Sequence, residues 1–226
     1  MLELAHAHAL PENLHFLDVG CGPGRLLLPM AHAGWQVKGL EPDTDYVAAA
    51  SQLQSRSPQI VAVHQGGFDA IHEHNHYHLI AAVNNPFAYL LDNESRLDAL
   101  RRMFLALQPG GVIFLDFFNF LWILRYYREP EEGRITLPDG NTLRRIISYK
   151  IDWHDSTVTH TDIFYRNDTY LSTQTHKLAI VAPRTIFSLI EESGFVNIRT
   201  YNSYARAKPE RINGGRIMIS ARKPEK

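Results

Sequence analysis

The stretch from Phe16 to Glu41 limits the possible folds of this 226-residue chain more than any other. Phe16-Leu17-Asp18-Val19 is an apolar run of the length of a buried strand. Gly20-Cys21-Gly22-Pro23-Gly24 follows at once and opens a helix. A second strand-like run, Val37-Lys38-Gly39-Leu40, stops at an acid, Glu41. Strand, glycine-rich turn, helix, strand and terminal carboxylate form a βαβ unit suited to a nucleoside. Glycines let backbone approach a ligand, and the helix start presents unpaired N–H groups. A carboxylate ending the second strand can accept both ribose hydroxyl protons.

The dinucleotide fingerprint is G-x-G-x-x-G. This chain instead spaces Gly20, Gly22 and Gly24 as G-x-G-x-G, followed by Arg25 and an aliphatic run. Here it resembles the class I S-adenosylmethionine-dependent methyltransferases, whose first motif reads like Leu17-Asp18-Val19-Gly20-Cys21-Gly22-Pro23-Gly24-Arg25. The likeness continues in order through Val37-Lys38-Gly39-Leu40-Glu41, Gly66-Gly67-Phe68-Asp69 and Tyr77-His78-Leu79-Ile80. Leu107-Gln108-Pro109-Gly110-Gly111 matches the turn before the fifth strand, and Glu192-Ser193-Gly194-Phe195 a later motif. The resemblance implies that Gly20, Cys21 and Gly22 lie along the methionine part of S-adenosylmethionine, with Asp18 near its amino group. It implies Glu41 on the ribose hydroxyls, Asp69 on the adenine amino group and Phe68 beside the ring. The plainer roles are a helix N-cap for Glu41 and a simple turn for Asp69. The likeness runs from Leu14 through almost the whole chain, yet it is specific only for the cofactor half.

With 45% hydrophobic and 21% charged residues, the composition is that of one globular domain spanning residues 1–226. Lys and Arg (23) nearly balance Asp and Glu (24), so no broad positive field suggests nucleic acid or an anionic membrane as partner. No apolar run reaches membrane-spanning length, and Met1-Leu2-Glu3-Leu4 is unlike a signal peptide. The single cysteine, Cys21, fits a reducing compartment and a cytoplasmic location, as a small side chain in a tight turn.

Strand signals fall near 14–19, 35–40, 59–63, 78–83 and 111–117. Helix signals fall near 24–33, 43–56 and 93–107, the last opened at Asp92 or Asn93 and closed by Pro109-Gly110. Such alternation predicts an α/β fold: a Rossmann-like, seven-stranded, mostly parallel sheet with helices on both faces. From Arg134 to Ile180 the pattern turns β-branched, aromatic and period-two, around a Pro138-Asp139-Gly140-Asn141 turn. This predicts an antiparallel β insertion of three or four strands at 134–180, which in methyltransferases of this shape covers the acceptor site. A helix at Arg184 to Glu192 and strands near 196–201 and 215–222 complete the sheet. Only Met1 to Asn13 precede the first motif, enough for one short helix. The resembled family usually carries a further helical segment there that closes over the cofactor. Either this branch dispenses with that lid or the native start lies upstream.

Acceptor-side candidates are fewer. Asn84-Asn85-Pro86-Phe87-Ala88-Tyr89-Leu90 follows the fourth strand and resembles a loop of small-molecule methyltransferases, placing Asn84 at the methyl-transfer site. It lacks the second proline of the Asn/Asp-Pro-Pro-Tyr motif of DNA and protein-amide methyltransferases. An Asn-Pro turn capping the next helix is the simpler role. His154, His160 and His176 lie in the insertion, and His176, just before the Pro183 helix, is the candidate proton acceptor. Phe117, Phe118, Phe120, Trp122, Tyr126 and Tyr127 could wall an apolar acceptor pocket or serve a core helix. His72, His74, His76 and His78 alternate, but before the fourth strand rather than after it. They are assigned to a solvated loop, and no metal is called for.

The expected reaction is in-line methyl transfer from S-adenosylmethionine to a nitrogen or oxygen of a small molecule, yielding S-adenosylhomocysteine. Two alternatives remain open. An NAD-dependent oxidoreductase is disfavoured by the glycine spacing. A catalytically silent S-adenosylmethionine-binding or regulatory protein is compatible with the short N-terminus and with His78, which stands where the family has an acid.

Overall fold

Short apolar runs separated by amphipathic ones fold into an open sheet wrapped by helices. The structure, a computed structural model, describes residues 1–126, 131–204 and 208–225. A short helix α1 (Leu2–Ala7) precedes β1 (His15–Val19), α2 (Leu27–His32), β2 (Gln36–Glu41), α3 (Thr44–Ser51) and β3 (Ile60–Gln65). Then come β4 (Tyr77–Val83), α4 (Asn93–Ala106), β5 (Leu107–Phe118) and α5 (Phe120–Tyr126). The insertion comprises β6 (Glu131–Thr136), β7 (Thr142–Asp152), β8 (Thr157–Arg166) and β9 (Thr169–Ala179). The chain ends in α6 (Pro183–Glu192), β10 (Val196–Tyr201) and β11 (Arg216–Arg222).

The seven-stranded sheet has the order β10-β11-β5-β4-β1-β2-β3. Only β11 runs against its neighbours, β5 and β10. Strand order reverses between β1 and β4, so a crevice opens at the C-terminal ends of these strands. Residues of β1 and β4 pack alternately into two cores, one on each face. Leu17, Val19 and Ile80 join the core beneath α4 and α6. Phe16, Leu79 and Ala81 join the core beneath α1, α2 and α3. Both faces are covered, so these strands read as nearly unbroken apolar runs.

Helix ends follow local chemistry. Asp43 caps α3 by accepting the Asp45 and Tyr46 N–H groups at 2.9 and 3.1 Å. Asp92 caps α4 by accepting from Ser95 at 2.7 Å. The expected helix at 43–56 is α-helical only to Ser51 and tightens to a 3₁₀ turn over Gln52–Arg56. The expected turn at Leu107 to Gly111 is part of the strand itself. Leu107 pairs with Tyr77 and Val112 with Leu79, so the intervening residues bulge from the ladder. The insertion forms a four-stranded antiparallel sheet in the order β6-β7-β8-β9. Val158, Leu178 and Ala179 anchor its base in the core beneath α4 and α6.

Candidate active site

The ends of β1, β2 and β4 open into one cleft of about 900 Å³. Its wall includes Asp18, Gly20, Cys21, Gly22, Glu41, Phe68, Asp69, Asn84 and His176. Four separate segments of chain and one strand of the insertion contribute these residues.

The turn after β1 is stitched to the end of β2. Gly20 and Cys21 both donate their N–H groups to Leu40 O, at 2.8 and 3.0 Å. Glu41 Oε2 accepts the Gly22 N–H at 2.8 Å, and Oε1 accepts the Asp43 N–H at 3.0 Å. A carboxylate has about four lone-pair sites, so Glu41 can still accept two hydroxyl protons. Gly20 has φ +72°, and a Cβ there would lie 2.5 Å from Pro86 Cγ. A side chain at this position would therefore drive apart the turn and the loop after β4. Asp18 is 2% exposed, and burial pushes its carboxyl up to about 7. The Arg25 guanidinium opposes that rise and the Glu41 carboxylate adds to it. Burial, followed by Asp18 and Glu41, pushes the Cys21 thiol up to about 12, so it is no thiolate at neutral pH.

The loop after β4 is unusual backbone. Asn84 and Asn85 are both left-handed, with φ +72° and +79°, a region asparagine tolerates better than most residues. Asp116 on β5 holds them: Oδ2 accepts the Asn84 N–H and its carbonyl accepts the Asn85 N–H, each at 3.0 Å. Asn85 Oδ1 in turn accepts the Phe118 N–H at 2.7 Å. Pro86–Tyr89 then form one 3₁₀ turn, which brings the Tyr89 hydroxyl within 2.8 Å of His176 Nδ1. Buried Phe68 packs edge-on to Phe87 with ring centres 5.8 Å apart. Asp69 Oδ1 accepts the Gly67 N–H at 3.2 Å. Two acids can thus receive ammonium and hydroxyl donors at one end of the cleft. A tyrosine–histidine couple, Tyr89 and His176, lines the same cleft.

The profile of a family described as a methyltransferase domain matches residues 16–111. The putative methyltransferase YqeM of Bacillus subtilis is 25% identical over 113 residues. That match covers 48% of this chain and 44% of the relative, so the chain spans less than half of that protein's length. Among solved structures, an S-adenosylmethionine-dependent methyltransferase from Clostridium acetobutylicum superposes with a TM-score of 0.80 at 13% identity. It covers 99% of this chain and 89% of that one. The sugar N-methyltransferase KedS8 from Streptoalloteichus gives 0.74 at 18% identity, covering 99% and 87%. Residues 16–111 are thus similar to a methyltransferase domain, and the chain as a whole has the fold of the solved S-adenosylmethionine-dependent methyltransferases.

The aromatic run after the fifth strand does not wall the cleft. Phe117 and Phe120 are buried in the core, while Trp122 and Tyr126 are 40% and 52% exposed. Phe118 supports His160 from behind, with ring centres 6.3 Å apart. Helical spacing after β5 turns these side chains away from the strand ends, and Tyr127 lies outside the described residues. His154 is exposed in the turn between β7 and β8. The alternating histidines sit at the opposite edge of the sheet. His78 Nδ1 accepts the His15 N–H at 3.0 Å, and His76 packs on the His15 ring at 4.7 Å. Among the described residues no group of three or more His, Cys, Asp or Glu is arranged to hold a metal.

Several lining residues were not singled out from sequence. Tyr46, Tyr89 and Gln174 face the cleft, as does the exposed Arg25. Tyr89 stood within the recognised loop, and its offset from Asn85 by one 3₁₀ turn was the available signal. Gln174 had none, because only the register of β9 brings it there.

Proposed function

We propose that this protein transfers a methyl group from S-adenosylmethionine to a nitrogen or oxygen of a small molecule, releasing S-adenosylhomocysteine. One observation carries the proposal. Two acids ending adjacent strands, Asp18 and Glu41, share a single cleft with Asn84, Tyr89 and His176. Bound there, S-adenosylmethionine supplies an electrophilic sulfonium methyl, so no metal or covalent nucleophile is needed. Asp18 receives its ammonium, Glu41 its ribose hydroxyls, and Gly20, Cys21 and Gly22 flank the methionine part. Phe68 and Asp69 take the adenine. Proximity does most of the remaining work, by holding the acceptor roughly 3–3.5 Å from the methyl carbon. Asn84 orients the acceptor and His176 takes its proton. Residues 134–180 form the cover over this acceptor end, since His176 and Gln174 reach the cleft from β9. A polar small molecule is the expected acceptor, in keeping with the sugar N-methyltransferase likeness and the near-zero net charge.

Calorimetry with S-adenosylhomocysteine on the wild-type and Glu41→Ala proteins tests the cofactor end. The variant should bind at least about tenfold more weakly, or ~1.4 kcal/mol. Equal affinity would remove Glu41 from the ribose site. Methyl transfer to a panel of amines, phenols and carboxylates tests the acceptor end. Tight cofactor binding without turnover on any of them would favour a silent binding protein.

A further inference from the structure

Behind the Tyr89–His176 couple the insertion buries a charged side chain, Asp162. In the β8–β9 ladder His160 stands opposite His176, and Asp162 opposite Gln174. Alternate residues of a strand share a face, so all four side chains lie on one side of the sheet, which at Gln174 and His176 is the cleft side. His160 is 5% and Asp162 4% exposed, whereas all of β6 is exposed. The rings of His160 and His176 lie 6.1 Å apart. His160 Nε2 approaches Asp162 Oδ1 to 3.3 Å, yet the ring nitrogen makes no hydrogen bond and stays buried. Arg145 on β7 reaches the same Asp162 oxygen with both Nε and Nη2 at 2.7 Å. A buried carboxylate beside an imperfectly paired imidazole is weak evidence of a stabilising role, because apolar residues of similar volume usually serve as well.

The geometry assigns Asp162 as a positioning residue for proton removal: its buried carboxylate, one ring behind His176, stabilises that histidine when it takes the acceptor's proton. The assignment rests on His176 acting as the proton acceptor. If Nδ1–H donates to the Tyr89 oxygen, Nε2 presents a free lone pair to the acceptor. The proton passes from the acceptor nitrogen or oxygen to Nε2, leaving an imidazolium. His160 is the spacer that carries the influence of Asp162 forward without giving up a proton. Tyr149 packs on its ring at 4.9 Å and Phe118 at 6.3 Å, which fix its plane. The charge of Asp162 is felt in the cleft. Burial chiefly holds the Tyr89 hydroxyl above its ordinary range, with Glu41, Tyr46 and Asp162 adding to the effect. Arg216, paired with Asp116 at 2.5 Å, also lies over the Phe118 ring at 5.1 Å.

NMR titration of the His176 ring, combined with steady-state kinetics, provides the test. In Asp162→Asn the loss of negative charge should move the His176 midpoint downwards. In the same variant kcat should fall roughly threefold or more while KM for S-adenosylmethionine stays constant. Arg145→Gln touches a part-exposed cation and leaves the carboxylate less neutralised, so it should move the midpoint the opposite way. This second variant keeps the test open should Asp162→Asn fold poorly. A midpoint that moves in neither variant overturns the assignment. If His176→Gln keeps wild-type turnover, His176 is not the proton acceptor and the assignment falls with it. A loss in His176→Gln alongside an unmoved midpoint defeats the role of Asp162 alone.

Discussion

Asp18 shows how one buried carboxyl can couple ligand binding to pH. Burial raises it to about 7, against the pull of Arg25, so near neutral pH a large fraction carries a proton. Only the ionised form pairs with an ammonium. Affinity for S-adenosylhomocysteine should therefore be highest above pH 7 and decline as pH falls through about 7, by up to roughly tenfold per unit. Calorimetry in buffers of different ionisation enthalpy should also reveal protons released on binding near pH 7. A flat profile between pH 5.5 and 8 would show that Asp18 does not meet the ammonium. The placement of Asp18 and Glu41 was legible because both end strands whose apolar runs and following turns are local. Tyr89 was not, because its partner His176 is 87 positions away in sequence.

Among the elements, β5 decides how the loop after β4 is held. Asp116 is fully buried, and Arg216 of β11 grips its two oxygens through Nε at 2.5 Å and Nη2 at 2.6 Å. The Tyr204 hydroxyl donates to Oδ2 at 2.5 Å, the same oxygen that accepts the Asn84 N–H. Asp116→Ala would leave the Arg216 guanidinium and the Asn84 N–H facing an apolar gap. Breaking such a pair typically costs about 3–5 kcal/mol. Urea unfolding should show a loss of that order, accompanied by slower methyl transfer as Asn84 loses its anchor. A loss below about 1 kcal/mol would mean that the cluster is not coupled to the fold. Sequence showed Asp116 only as an acid inside an apolar strand; Arg216, a hundred residues on, carries no signal of its own. The insertion is the reverse case. Its Pro138-Asp139-Gly140-Asn141 turn forms as expected, with Gly140 at φ +81°, because hairpin chemistry is local.

Across the chain as a unit, α1 is tied to the far end of the sheet by a buried polar knot. His8 Nε2 lies 2.9 Å from Ser220 Oγ and 3.4 Å from the Tyr201 hydroxyl. Arg222 donates to the His8 carbonyl. Burial first, then Arg199 and Arg222, lowers the His8 imidazole to about 4. Since the folded value lies below the ordinary 6.5, the unfolded chain binds the proton more readily. The stabilising contribution of neutral His8 is complete above pH 6.5 and is lost as pH falls from there towards 4. Thermal unfolding should show Tm dropping over that window, and His8→Gln should flatten the drop. An identical slope in the variant would assign the acid sensitivity elsewhere.

The order of strands and helices, the glycine turn and the two acids that flank it were all readable before any coordinates. They depend on period-two and helical patterning, caps and turns, in which the interacting residues are a few positions apart. The acceptor end belongs to the other category. Asp116 with Arg216, Tyr89 with His176, and His160 with Asp162 behind them meet through ladder register and loop closure. Contacts made across tens of residues leave no periodic trace, so folding alone brought Tyr89 and His176 to the cleft and set the other pairs behind it.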